Sequence, residues 1–133
     1  MQDYHHLDIW NRSMDFAVAV YGFMKALPES ERYNLVSQMQ RAVTSVPLNI
    51  AEGSGCSTKA EFARFLGYAY RSLKEVITCL ELCQRIHLAQ PCVRQAPDLI
   101  EEGSQISRMT RSLIQRLDGA HDDNPADLRT HYS

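Results

Sequence analysis

Thr58 to Cys83 reads TKAEFARFLGYAYRSLKEVITCLELC, and the spacing of its apolar residues decides the fold class. Phe62, Leu66, Ala69, Leu73, Val76, Leu80 and Cys83 recur at alternating steps of four and three, which lines one side of an α-helix. Thr58 and Glu61 stand three apart before the apolar run, the pattern of a capping box that opens a helix. Gln90-Pro91 closes the helix soon after Leu88, because proline cannot continue the hydrogen-bond ladder. A helix of this length with one apolar face needs other helices to cover it.

The flanking sequence supplies them. Upstream, a helix is expected from about Leu7 to Ala26, with Leu7, Trp10, Met14, Ala17, Tyr21 and Met24 as one continuous seam. Ile9, Phe16, Val20, Phe23 and Leu27 form a second apolar stripe, which predicts burial of further surface, for instance against another subunit. A second helix is expected after Leu27-Pro28-Glu29, with Ser30 as its N-cap and Leu35, Met39, Ala42, Val43, Val46 and Ile50 facing the core. Pro47 predicts a kink near residues 44–46, and Gly53-Ser54-Gly55 is read as the helix stop. A fourth helix is expected from Pro97 through Leu99, Ile106, Met109, Leu113 and Leu117 to Gly119. Short connections make neighbours antiparallel, so the expected fold is all-α: an antiparallel up-down-up-down four-helix bundle over residues 1–120 with a kinked second helix. The Asp-, Asn- and Pro-containing segment 121–133 is expected to be a flexible tail.

Composition narrows the function classes. Of 133 residues, 44% are apolar and 23% charged, enough for a core and ordinary for one globular domain. No run approaches the roughly 18 apolar residues that a bilayer crossing needs, and the first residues lack a signal-peptide pattern, so a cytoplasmic protein with no membrane partner is expected. Residues 1–120 carry 13 basic and 13 acidic side chains; Asp122, Asp123 and Asp127 against Arg129 supply the net −2. That balance lacks the overall basic footprint of a dedicated nucleic-acid binder. Local clusters are another matter. Arg64, Arg71 and Arg85 share a heptad position, Lys74 lies one turn from Arg71, and Arg108 and Arg111 follow on the fourth helix. These six are the candidate nucleic-acid contacts. Glu61, Glu75 and Glu81, at helical spacing from the arginines, also allow a solvated face laced with ion pairs.

Catalytic groupings are scarce, and no enzyme activity and no cofactor are expected. There is no Glu-x-x-His pair for a di-metal bundle site and no phosphate-binding glycine loop. Cys79, Cys83 and His87 repeat every four residues with Cys92 beyond, a spacing that metal ligation would use. The same thiols fit as small core residues in a reducing compartment, and no metal is expected. Between Gln38 and Gly53 a polar stripe of Gln38, Arg41, Ser45, Asn49 and Glu52 runs beside the apolar one. Facing inward, Arg41 and Glu52 would anchor a structural network, and Ser45 and Asn49 would satisfy the carbonyl that Pro47 leaves free. A ligand or partner site is the alternative.

Gln38, Arg41-Ala42, Ser45-Val46-Pro47, Asn49-Ile50-Ala51-Glu52-Gly53, Phe65-Leu66 and Ser72-Leu73 with Glu75 together resemble the four-helix bundle family first known from proteins encoded in 23S rRNA intervening sequences. Leu7, Trp10, Tyr21, Pro28, Glu31 and Leu35 fall in the same pattern, so the likeness covers about Leu7 to Leu88. It implies an up-down bundle assembled as a ring-like homopentamer, and it brings Glu75 into the structural polar network. It also implies kinship with accessory proteins of diversity-generating retroelements, which bind a reverse transcriptase and nucleic acid through basic surface; no catalytic residues carry over. Cys56 and Arg71 depart from the pattern, standing where Arg and Gly are common. The expected role is a non-catalytic homo-oligomeric binding or scaffold protein with RNA, DNA or a nucleic-acid enzyme as partner. A protein–protein adaptor without nucleic-acid affinity, or a Cys/His metal-binding protein, is the alternative.

Overall fold

A computed structural model of the chain describes residues 3–119. Four helices follow in order: α1 (Asp8–Lys25), α2 (Leu35–Ser54), α3 (Lys59–Ile86) and α4 (Ala96–Asp118). Short 3₁₀ turns at Tyr4–His6, Glu29–Glu31 and Pro91–Gln95 precede α1, α2 and α4. No strand occurs among the described residues. The α2–α3 and α3–α4 interfaces are the most extensive, and α1 lies more lightly against α2 and α4. Glu31 meets His87, Ser45 meets Ser72, and Gly53 meets Phe62 and Phe65, so α2 and α3 run antiparallel. The expected four-helix bundle is the fold. The tail 121–133 lies outside the described residues.

The expected seams of α2 and α3 are buried in full. Thr58 caps α3 as read from sequence, its hydroxyl accepting from the Glu61 N–H at 3.2 Å. In α1 the second stripe is in the core, while the expected seam is divided: Leu7 and Met24 are buried and Trp10 and Ala17 pack against the core. Ile9, Phe16, Val20 and Phe23 form the core, while Met14 and Tyr21 of the expected seam are 41% and 37% exposed. The position between Ile9 and Phe16 is Ser13, wholly buried, with its hydroxyl donating to the Trp10 carbonyl at 2.8 Å. A serine that satisfies itself on its own helix can sit in a core seam without an unpaired group. The same device appears in α4. Thr110 takes the seam position expected of Met109, and its hydroxyl donates to the Ile106 carbonyl at 2.7 Å.

Further corrections concern helix ends and glycines. The turn at Glu29–Glu31 stands where α2 was expected to begin, and Asn34, not Ser30, occupies its N-cap position. The helix then runs unbroken through Pro47 to Ser54. The helix ends at Ser54 with Gly55 at its C-cap, within the expected stop, and Gly53 is in addition a close-approach residue: a Cβ there would lie 2.8 Å from Phe65 Cβ and 3.0 Å from Phe62 Cδ1. The bare backbone of α2 therefore rests on α3. Gly103 does the same in α4, where an added Cβ would come within 3.0 Å of Phe16 Cζ and 3.2 Å of Ile77 Cγ1.

These contacts set opposite signs for two glycine-to-alanine changes. Gly53→Ala is expected to lower unfolding free energy by about 1–2 kcal/mol through overpacking. Gly67→Ala, with nothing within 4 Å of its added methyl, is expected to raise it by about 0.5–1 kcal/mol through helix propensity. Urea denaturation of both variants measures the difference; equal effects would remove the close-approach argument for Gly53.

Candidate functional site

The stripe that α1 leaves outside lines a groove with α2. Met14, Ala17, Val18, Tyr21, Gly22 and Lys25 form one wall, and Thr44, Pro47 and Leu48 form the other, around a volume of about 690 Å³. Ala17 and Gly22 on α1 and Pro47 on α2 are among the smaller residues of the lining. The rim is apolar, with Val18 73% and Leu48 67% exposed. Scattered exposed hydrophobes are ordinary on a monomer, but a contiguous set in a groove marks an interaction site. Sequence reading anticipated that α1 carried surplus apolar surface and assigned the surplus to the wrong stripe.

The six candidate nucleic-acid contacts are all exposed, on α3 and α4. Arg64 is held by Glu61 at 2.7 Å and lies over the rings of Phe65 and Tyr68. The Glu61 carboxylate also raises the Arg64 pKa, mainly through that hydrogen bond. Arg108 pairs with Glu101 at 3.5 Å. Lys74 lies over the Tyr70 ring, with 5.2 Å from its Nζ to the ring centroid. Arg71, Arg85 and Arg111 make no hydrogen bond or ion pair among the described residues; the expected Arg71–Glu75 and Glu81–Arg85 pairs do not form.

The inward polar network is a correction. The side chains of Gln38, Arg41, Glu52 and Glu75 are exposed and make no hydrogen bond or ion pair among the described residues. What remains is a short chain: the Ser45 hydroxyl donates to the Ala42 carbonyl at 2.9 Å and touches the Ser72 hydroxyl, while the Asn49 amide donates to the Ser45 carbonyl at 2.8 Å. A helical N–H bonds the carbonyl four residues back, so Pro47 frees the carbonyl of Val43. Ser45 and Asn49 reach its neighbours instead. The stripe lies too far round the helix from Ala42, Val43 and Val46 for all its members to enter the core.

Two polar links escaped sequence reading because they join positions far apart in the chain. Arg12 clamps α1 to α4, with its Nε 3.1 Å and its Nη2 2.6 Å from the two Glu102 oxygens. Nη2 also donates to Gln105 Oε1 at 2.8 Å, and hydrogen bonding to Glu102 raises the Arg12 pKa. At the other end of the bundle, Glu31 Oε2 and His87 Nε2 lie 2.6 Å apart, their side chains only 11% and 13% exposed. His87 is thus engaged away from the thiols with which its spacing aligned it. Among the described residues no group of three or more His, Cys, Asp or Glu is arranged to hold a metal.

Cys79, Cys83 and Cys92 are buried, free thiols; Cys56 is partly exposed, its thiol 3.5 Å from the Glu52 carbonyl. Burial pushes the Cys83 thiol up to about 12, helped by Cys79, Glu31 and Cys92 nearby. Burial likewise raises Cys79. Such thiols stay protonated and poorly reactive at neutral pH.

The comparisons with known proteins fit this geometry. The family described as 23S rRNA-intervening sequence protein matches residues 5–112. The chain is similar to a crystal structure of a protein of unknown function from the S23 ribosomal protein family of Bacteroides thetaiotaomicron, with 25% identity and a TM-score of 0.72. That match covers 80% of this chain and 98% of the other. No curated protein matches. Among the described residues no helix is long and apolar enough to cross a membrane.

Burial raises the Cys56 thiol as well, so exposure sets the order: a disulfide reagent at pH 8 is expected to modify Cys56 first in the native protein, and the other three only after denaturation. Mass spectrometry of the modified protein identifies the sites; rapid labelling of Cys83 would contradict its burial.

Proposed function

This chain belongs to the 23S rRNA-intervening sequence protein family, and we propose that it is a non-catalytic, self-assembling binding protein whose exposed cations contact RNA. The observation that carries the reading is the apolar groove of α1 and α2. Leaving Met14, Val18, Tyr21 and Leu48 in water forgoes roughly 25 cal/mol for every Å² that a partner would cover. In this reading a second copy of the chain covers it, and an assembly of five copies is what the resemblance to the family implies.

RNA is the partner that the exposed cations suit. Arg71, Arg85 and Arg111 keep their full donor capacity, and Arg64 and Arg108 can exchange exposed carboxylates for phosphate at small cost. Arg64 beside Phe65 and Tyr68 adds a π-surface to which an unstacked base could be held. Assembly matters here, since the described chain balances its charges and a ring repeats each cationic group around one axis.

Light scattering at micromolar concentration is expected to give about five times the 15.2 kDa chain mass, and Val18→Glu is expected to give monomer. Monomer for the unmodified protein would remove the self-assembly claim. Fluorescence anisotropy is expected to show RNA binding at about 50 mM salt that weakens steeply as salt rises. Replacing Arg71, Arg85 and Arg111 together with glutamate should weaken it at least about tenfold. Undetectable binding at low salt would replace RNA by a protein partner, the adaptor reading that the charge balance favours.

A further inference from the structure

At the C-terminal end of α2 a separate cavity of about 530 Å³ is lined by Tyr4, Leu48, Ala51, Glu52, Cys56 and Phe65. It reaches across the last turns of α2, from the 3₁₀ turn before α1 to α3. Each of those flanking elements contributes an aromatic ring, Tyr4 from the turn and Phe65 from α3, and both rings are partly exposed. His5 stacks on Tyr4 at 4.3 Å and Trp10 meets it edge-on at 5.0 Å. Tyr68 meets Phe65 edge-on at 5.6 Å. Rings braced in this way offer fixed surfaces to a planar ligand.

Glu52 is the charged member of the lining. It lies in the last turn of α2, which carries no basic residue, and its carboxylate has no hydrogen bond or ion pair among the described residues. A carboxylate at the negative end of a helix dipole is unfavourable. Glu52 therefore does nothing for the helix that holds it, and its two oxygens are open to a donor from outside. Positive charge stands at the rim, where Arg64 Cζ lies 5.3 Å from the centroid of the Phe65 ring. Glu52, Glu61 and Arg64 all act electrostatically on the Cys56 thiol, which places the three around one corner of the bundle.

We infer that this cavity takes the guanine base of a nucleotide. The assignment rests on the RNA reading above and names the base that such a site selects. The planar faces of the base meet the aromatic rings, and its pairing edge meets Glu52. Guanine carries two adjacent donors on that edge, N1–H and the N2 amino group, which match the two oxygens of one carboxylate. Adenine, cytosine and uracil each set one donating group beside acceptors, and Glu52 repels those acceptors. Arg64 then holds the phosphate, giving up an exposed pair with Glu61 that is worth little. The same arginine disfavours a quaternary ammonium, another ligand that aromatic pockets recognise.

The test is saturation-transfer NMR on the full chain with each of the four free ribonucleoside 5′-monophosphates. Titration is expected to show GMP bound at least about tenfold more tightly than the other three. Glu52→Gln is expected to erase that preference while leaving the melting temperature unchanged or higher, because the lost charge opposes the helix dipole. Arg64→Gln should weaken GMP without changing the order of the bases. Equal binding of the four nucleotides, or a GMP preference that survives Glu52→Gln, would overturn the inference. Transfer to tetramethylammonium in place of GMP would overturn it too, in favour of a cation site. A uridine tract carrying one guanosine separates the two sources of the base. Tighter binding of that tract than of plain oligouridine supports a guanine held within RNA. GMP selected by a chain that binds no RNA would sink the RNA reading and leave the site to a free nucleotide; RNA bound without any preference for guanine would sink the site alone.

Discussion

The ring of Phe16 lies against a Gly103 that has no side chain, with Ile77 of α3 on the far side of the same gap. Three helices meet at that point, and only a residue without a Cβ lets them. The contact sets which way α1 is rolled. With Phe16 turned into the gap, Ile9, Val20 and Phe23 follow it inward on their three- and four-residue steps, and Met14, Val18 and Tyr21 are carried outward. The core takes one stripe of α1 whole and, of the other, buries Leu7 and Met24 at its ends. The groove at the surface is the direct consequence of that choice.

Self-satisfied hydroxyls let the choice stand. Ser13 and Thr110 occupy core positions of α1 and α4, and each donates to a carbonyl on its own helix, whereas the buried Ser107 hydroxyl of α4 has no partner among the described residues. Charged links are then confined to the margins. Arg12 and Glu102 tie α1 to α4 at the half-buried edge, and Glu31 meets His87 where the chain turns into α2. α1 lies lightly against both α2 and α4, with the Arg12–Glu102 link tying it to α4, and the groove opens between α1 and α2.

The surfaces proposed to act lie on different parts of one rigid unit. The groove lies between α1 and α2, and the exposed arginines sit on α3 and α4. Assembly through the groove would leave most of the arginines free. Such a division lets a near-neutral chain present repeated cations, because a ring multiplies local groups without changing their balance.

Much was legible before any tertiary contact was considered. The seams of α2 and α3, the Thr58 cap and the four-helix class follow from periodicity and local hydrogen bonding, which act between residues three or four apart. Those interactions are complete within one helix, so the sequence by itself determined them. The roll of α1, the duties of Gly53 and Gly103, the exposure of Gln38, Arg41, Glu52 and Glu75, and the Glu31–His87 and Arg12–Glu102 links were decided only in the folded bundle. Each depends on which helix stands opposite and how closely it approaches. In α1 two stripes matched the helical period, and a serine in the winning one disguised it. Steric fit against Phe16, Gly103 and Ile77 separated what periodicity could not, because packing acts between residues some 60 to 90 positions apart in the chain.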